Sequence, residues 1–494
     1  MRTYPENDNI KESKNVSTLI FGNRFKGEQT LYEYLIEFLL IFTSAKNEDL
    51  TKGKMTLHNI EEDGNISYWV EPRMALRRFI AFDKTKKKGA IKEDAEAYNE
   101  LFEALKEKFS NSNETEAEEN VESIQDMFHG YAVVIKNRFW GAQALLPICP
   151  EFLFCGANPN DKERKKKVDY YNDPASIDKF FAFDKRNFIA RGGELYYLHV
   201  LQGLVGQDEK RAELEKLLTE LMTVQCNKIS KLASFVQTTW EEKKNIDHKE
   251  LIKKFSLAYI PATGYEICGK NTVDELINFL SANLHPINRI ELLAKGVMLQ
   301  IMRMMSMRVA DYLDIKPFTW IVDMNAGSNG TVKKIAANSF NNIENGFMDA
   351  LTRQATELGL SDSDLHKACQ TAKNDSFDIF KSKGKELKFI IPISGSFERF
   401  SLPEDIIRFL VLSLIKPGDK MTIDMFLEKL YKHYNIVIGP KEYKLSLKDD
   451  SNLDVNLANS FIENANAFQS FLNNTGFLKE LSDATSVVIN PYES

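Results

Sequence analysis

Three groups of residues in this chain of 494 are of types and spacings that could do chemistry. The first is Glu386-Leu387-Lys388, with Asp375 and Asp378 upstream. An acid followed by Glu-x-Lys on a strand could hold magnesium and orient water for phosphodiester cleavage, so Asp375, Glu386 and Lys388 are the candidate catalytic residues of a degenerate nuclease site. The tripeptide is common and the spacing to the acids short, so a plain surface role competes. The second group sets cations beside aromatic rings. Arg73, Arg77 and Arg78 precede Phe79 and Phe82, and Lys84, Lys86, Lys87, Lys88 and Lys92 follow. Lys162, Arg164, Lys165, Lys166 and Lys167 precede Tyr170 and Tyr171 in the same way. Such runs can neutralise phosphate and offer stacking faces, although most charge runs are solvated loops. The third is a polar set near the C-terminus, Asn466, Gln469, Ser470 and Asn473, on a stretch without lysine or arginine. Asn and Gln can read adenine, but without nearby cations the attraction to phosphate is missing, so docking of a protein is the favoured use.

Other chemistries lack their patterns. Asn325-Ala326-Gly327-Ser328-Asn329-Gly330 is the best glycine-rich turn before a helix, but no Gly-Lys-Ser/Thr follows it and it is not a dinucleotide fingerprint. The seven histidines are scattered, and neither Gly-x-Ser-x-Gly nor His-Glu-x-x-His occurs. His366 and Cys369 would share one helical turn, which does not make a triad. Cys149, Cys155, Cys226, Cys268 and Cys369 form no zinc spacing; an odd, scattered set fits buried thiols in a reducing compartment. No cofactor and no metal site is expected.

The elements that must carry these residues follow from periodicity. Leu31, Tyr32, Leu35, Ile36, Leu39 and Leu40 predict a helix over 29–42. Further helices are expected at 211–224, 241–257, 273–284 and 290–313. In the last of these, Met298, Met302, Met304, Met305 and Met307 would fill an irregular core. Ser17 to Phe21 and Leu387 to Ile393 read as strands, and 109–122 as an acidic loop or a solvated helix start. Arg191-Gly192-Gly193 is a tight turn before a helix begun at Glu194. The hexamer Phe79 to Lys84 recurs nearly unchanged as Phe180 to Lys185, too short an echo to claim duplication.

The last ninety or so residues are the most legible. Pro403 to Ile415 is a helix followed by a Pro417-Gly418-Asp419 turn, and Thr422 caps a second helix to Tyr434. A third helix, about Leu457 to Asn474, stops at Gly476, and Phe477–Leu481 and Ser486–Asn490 form a hairpin. Three helices and a hairpin make a winged helix. Residues 401–494 hold nine Lys and Arg against thirteen Asp and Glu, a net charge of -4, which favours docking a protein over reading DNA.

The expected architecture is mainly α with minor β (α+β) and multidomain: 1–205 an α+β domain with the basic-aromatic segments, 206–395 mainly helical, 396–494 the winged helix. With 27% charged and 43% hydrophobic residues and a net charge of -7, the chain reads as an ordinary globular protein in which nucleic acid must find a local patch. No apolar secretory segment opens it, and the most apolar early run, Leu31 to Phe42, is too short to span a bilayer, so a cytoplasmic protein with no membrane partner is expected. The stretch from Leu402 to Ile415, then Pro417-Gly418 and Met425 to Tyr431, resembles the winged-helix ends of accessory proteins from prokaryotic DNA-defence operons, and Phe21 to Leu35 is similar to uncharacterised members of such operons. The resemblance covers about a quarter of the chain. It implies a partner ATPase, helicase or nuclease encoded nearby, and carries over no catalytic residue. The resulting expectation is a non-catalytic adaptor that binds nucleic acid and protein in a DNA-handling, antiviral assembly. A magnesium-dependent nuclease and a winged-helix transcriptional regulator are the alternatives.

Overall fold

A computed structural model describes residues 15–22, 25, 27, 29–46, 55–59, 68–69, 74–81, 92–109, 112–128, 156–159, 181–187, 192–223, 227–245, 266–324, 330–447, 454–481 and 486–493. These are mainly helical with a few short strands. They fall into two compact units, each discontinuous in sequence: 32–189 with 218–258, and 1–31 with 190–217 and 259–494.

In the first unit the expected helix is present at Leu31–Phe42. The acidic stretch after 109 resolves into a helix, Glu114–Phe128. Asn113 starts it with a reciprocal cap: its Oδ1 accepts from the Glu116 backbone at 2.9 Å while Glu116 Oε2 accepts from the Asn113 backbone at 3.3 Å. The repeated hexamer takes two different forms: Phe79–Ala81 ends the helix Met74–Ala81, whereas Phe181 to Lys185 lies in the strand Phe181–Asn187. The two copies therefore play different structural roles. Gln237 and Gln125 bind the helix Met74–Ala81 at the Leu76 amide and the Phe79 carbonyl.

The second unit comprises, in chain order, α1 (Val16–Phe21), α2 (Gly192–Gly203), α3 (Glu266–Ser281), α4 (Pro286–Leu313), β1 (Trp320–Ile321), α5 (Gly330–Glu357), α6 (Asp362–Asn374), α7 (Phe377–Glu386), β2 (Ile390–Ile391), β3 (Arg399–Phe400), α8 (Glu404–Leu414), β4 (Lys420–Thr422), α9 (Ile423–Tyr434), β5 (Ile436–Val437), α10 (Pro440–Ser446), α11 (Val455–Asn474), β6 (Leu478–Glu480) and β7 (Ser486–Ile489).

Two strands expected from sequence are corrected. Ser17 to Phe21 is helical, because Asn15 Oδ1 accepts from the Thr18 amide at 2.9 Å and Gly22, at φ 82°, closes the helix in the left-handed region. The run is apolar because nearly all of it is buried, a pattern that periodicity alone cannot assign to a strand. The strand expected from Leu387 is reduced to Ile390–Ile391. Glu386 is the last residue of α7, and Lys388 turns the chain at φ 56° while the Phe389 amide still bonds back to Gly384.

The core of this unit centres on Trp320, whose ring lies 5.2 Å from Phe389, 5.5 Å from Phe400 and 6.3 Å from Phe380. Phe340, Phe347 and Phe377 extend the cluster to α5 and α7. Pairing is non-local: β1 runs parallel to β5, and β2 pairs antiparallel with β3. Residues on both sides of position 395 thus share one core.

At the C-terminus, α8, α9 and α11 are joined by a three-stranded antiparallel sheet in the order β6-β7-β4. Thr422 caps α9 by accepting from the Met425 amide, and Gly476, at φ 79°, follows α11. Phe426 of α9 stacks on Phe468 of α11 at 6.3 Å, and Tyr443 of α10 on Phe461 at 4.1 Å. Among the described residues no helix is long and apolar enough to cross a membrane.

Candidate functional site

Among the described residues, the densest polar constellation lies where α3, α4 and α9 meet. Glu275 and Arg303, each with 1% of the side chain exposed, form a two-pronged ion pair: Nη1 donates to Oε1 at 3.2 Å and Nη2 to Oε2 at 3.1 Å. Gln300 Nε2 and the Tyr434 hydroxyl donate to Oε2 at 2.6 and 2.7 Å, and His433 Nδ1 lies 2.7 Å from Oε1. Arg303 also donates to the His433 carbonyl and to Thr272 Oγ1, and its guanidinium sits 4.2 Å above the Tyr434 ring. Burial alone would raise the Glu275 carboxyl, but the Arg303 guanidinium and the bonds from His433 and Tyr434 outweigh it and hold the group at about 2. His199 completes the network, with Nε2 3.1 Å from Thr272 Oγ1. That hydroxyl already donates to the Cys268 carbonyl, so Nε2–H is the donor to it. Burial, aided by Arg303, pushes His199 down to about 3.

Chemically this network is a lock. Its carboxylate is saturated with donors and its central groups are out of reach of any substrate. A sequence signal for it existed: Gln300 and Arg303 interrupt the apolar run Val297 to Met305, and a charge on a helix buried on all sides demands a partner.

The candidate residues of the nuclease alternative lie at or just past the ends of helices. Asp375 caps the C-terminus of α6, Glu386 ends α7 with Oε2 2.9 Å from Lys383 Nζ, and Lys388 is exposed in the left-handed region. Among the described residues no group of three or more His, Cys, Asp or Glu could hold a metal ion. His366 is exposed while Cys369, on the same helix, is buried. Of the cationic set, Arg73, Lys84, Lys86, Lys87, Lys88, Lys165, Lys166 and Lys167 lie outside the described residues, and Arg77 and Arg78 fall within the helix Met74–Ala81. Residues 325–329, ahead of α5 in the sequence, are likewise outside them.

The polar residues of α11 divide by face. Asn464 is wholly buried: its Nδ2 donates to the carbonyls of Val322 and Ile438, both at 2.9 Å, and its Oδ1 accepts from the Met324 amide at 2.8 Å. It pins α11 against the ends of β1 and β5. Asn466, Ser470 and Asn473 are exposed and Gln469 is half-buried. Val455, Asn459 and Ile462 are exposed on the same helix, Val455 by 71% and Ile462 by 44%. The positions 455, 459, 462, 466, 469 and 473 alternate steps of four and three, the spacing of a single helical seam. In a chain with 27% charged residues, twenty residues would carry about five charges; α11 carries one, Glu463. An exposed helix this poor in charge is suited to lie against another surface.

No protein-family model matches this chain, no curated protein does, and no solved structure does.

Proposed function

We propose that this chain is a non-catalytic adaptor subunit of a multi-protein, DNA-handling complex of the prokaryotic antiviral-defence kind, acting in the cytoplasm. In this reading residues 396–494 form a winged helix whose last helix, α11, docks a partner subunit such as an ATPase, helicase or nuclease. The order of helices and strands and the β6-β7-β4 sheet support that assignment of module. The observation that carries the docking role is the exposed, nearly uncharged seam of α11 through Ile462, Asn466 and Asn473. The same helix lacks the lysine and arginine that a DNA reader needs, which weighs against a transcriptional regulator. Nucleic acid would be held by the cationic segments around Arg77 and Lys86–Lys88 and around Lys165–Lys167.

Copurification from the native host tests the docking. The wild type should bring down a defined partner subunit, and Asn466→Glu with Asn473→Glu should lose it with an unchanged unfolding midpoint, since both side chains are exposed. Equal recovery of the partner with that variant would overturn the reading. For the nucleic-acid segment, alanine at Arg77, Arg78, Lys86, Lys87 and Lys88 should weaken DNA binding and flatten its dependence on salt.

A further inference from the structure

The loop between β2 and β3 carries three independent oddities. First, it is openly apolar: Phe397 is 75% exposed, more than any other large hydrophobic residue among the described residues, and Ile393 is 64% exposed, with Ser394, Gly395 and Ser396 between them. Second, the backbone is left-handed at Lys388, just before β2, with φ 56°, and at Phe397, just before β3, with φ 67°. Glycine is the residue of least strain at such positions, and a bulky side chain there is an outlier. Neither side chain gains burial in exchange, since both are exposed. Third, cations gather beside it: of the five Lys and Arg in 381–399, Lys383 and Arg399 are buried and paired with Glu386 and Asp323, which leaves Lys381, Lys385 and Lys388 against Glu398. Lys381 and Lys385 both contact Glu398, at 2.7 and 3.1 Å, so two cations stand against a single carboxylate at the base of the loop.

A strained, exposed ring and an exposed cation, kept where glycine would be more stable, point to a role outside the fold. The apolar pair is too small for a protein interface, which buries about 800 Å² on each side, yet it is large enough to meet one or two bases. Phosphate would be met by the excess of positive charge, and the small Ser394-Gly395-Ser396 segment lets a backbone approach closely. We infer that the β2–β3 loop is a contact for single-stranded nucleic acid, in which Phe397 stacks on a base, Ile393 flanks it, and Lys388 with the Lys381–Lys385 pair neutralises the phosphates. This rests on the reading that the chain handles nucleic acid, but on a segment distinct from the Arg77 and Lys86–Lys88 cluster.

The test is binding of the full chain to a fluorescein-labelled oligothymidylate, single-stranded or annealed to its complement, across a salt series. Phe397→Gly should weaken single-strand binding about fivefold or more, the range set by loss of one stacked base. Lys388→Gly should lower the slope of log K against log salt by about 0.7, the value for one phosphate contact on a single strand. Both variants should unfold at or above the wild-type midpoint, because glycine relieves the left-handed backbone, so weaker binding cannot be blamed on misfolding. Phe397→Gly binding as tightly as wild type overturns the inference. If the alanine variant at Arg77, Arg78, Lys86, Lys87 and Lys88 alone then loses binding, the N-terminal contact stands without this one. Tight binding to the duplex with none to the single strand also overturns it. No wild-type binding to either form overturns both readings.

Discussion

A single buried histidine sets a measurable pH dependence. His199 sits at about 3 in the folded chain against 6.5 in an unfolded one, because burial and Arg303 oppose its charge. Between those values the unfolded chain binds a proton that the folded chain refuses. Its contribution is therefore fully present above about pH 6.5 and is lost as pH falls toward 3, at about 1.4 kcal/mol per pH unit. Between about pH 6.5 and 5, denaturant unfolding of wild type should lose stability more steeply with falling pH than that of His199→Gln, because an amide can still donate to Thr272 without titrating. Equal slopes in the two proteins would sink the assignment. Glu275 acts in a different window: with its carboxyl at about 2, its contribution is present above the ordinary carboxylate range near 4.5 and is lost as pH falls toward 2. Arg303→Met should cost about 3–5 kcal/mol in the same assay at neutral pH, since it leaves the Glu275 charge buried without its guanidinium partner. Sequence reading missed this pair, although a lone arginine among methionines was visible, because its partner lies 28 positions away on another helix. Nothing local in α11 marks Asn464 as different from its exposed neighbours; only the packing of α11 on β1 and β5 separates the one buried asparagine of that helix from the others.

Elements were legible where local chemistry alone decides them. Thr422, Gly476 and the apolar face of Phe426, Leu427 and Leu430 placed α9 and the end of α11 within a residue or two, since caps and left-handed glycines act over one turn. Removing the Thr422 hydroxyl, Thr422→Ala, should cost about 1 kcal/mol by thermal unfolding. α1 and α10 were not legible: they have 6 and 7 residues, too short for periodicity, and are fixed by the caps Asn15 and Gly22 in one case and by Pro440 at the first turn in the other. Crossing of helices is set by small residues whose role no single segment declares. A Cβ at Gly203 of α2 would lie 2.2 Å from the Gly269 carbonyl oxygen of α3, and backbone cannot swing away as a side chain can. Gly203→Ala should therefore destabilise by about 1–3 kcal/mol despite alanine's better helix propensity, whereas a stabilised variant would mean that the two helices pack otherwise.

At the scale of the molecule, what the sequence could not express is long-range pairing. The parallel contact of β1 with β5, the antiparallel contact of β2 with β3 and the ring cluster around Trp320 join segments that are unremarkable alone. Those same pairings also shape the segment that carries the nuclease alternative. Ending α7 at Glu386 and turning the chain at Lys388 keeps Glu-x-Lys off any strand, and places Glu386 beside Lys383. A nuclease gains its power from a divalent cation held by convergent carboxylates, and a site that binds such an ion in the folded state alone raises the unfolding midpoint as the ion is added. For the full chain, titration with magnesium should leave the midpoint where sodium chloride of equal ionic strength leaves it, and labelled DNA should remain intact in the isolated protein. Glu386→Ala should match wild type in both measurements. Magnesium-dependent cleavage that disappears in Glu386→Ala would restore the enzyme reading and remove the adaptor. Cleavage that appears only when a copurified partner is added, and persists in Glu386→Ala, would place the chemistry in that partner, as an adaptor requires.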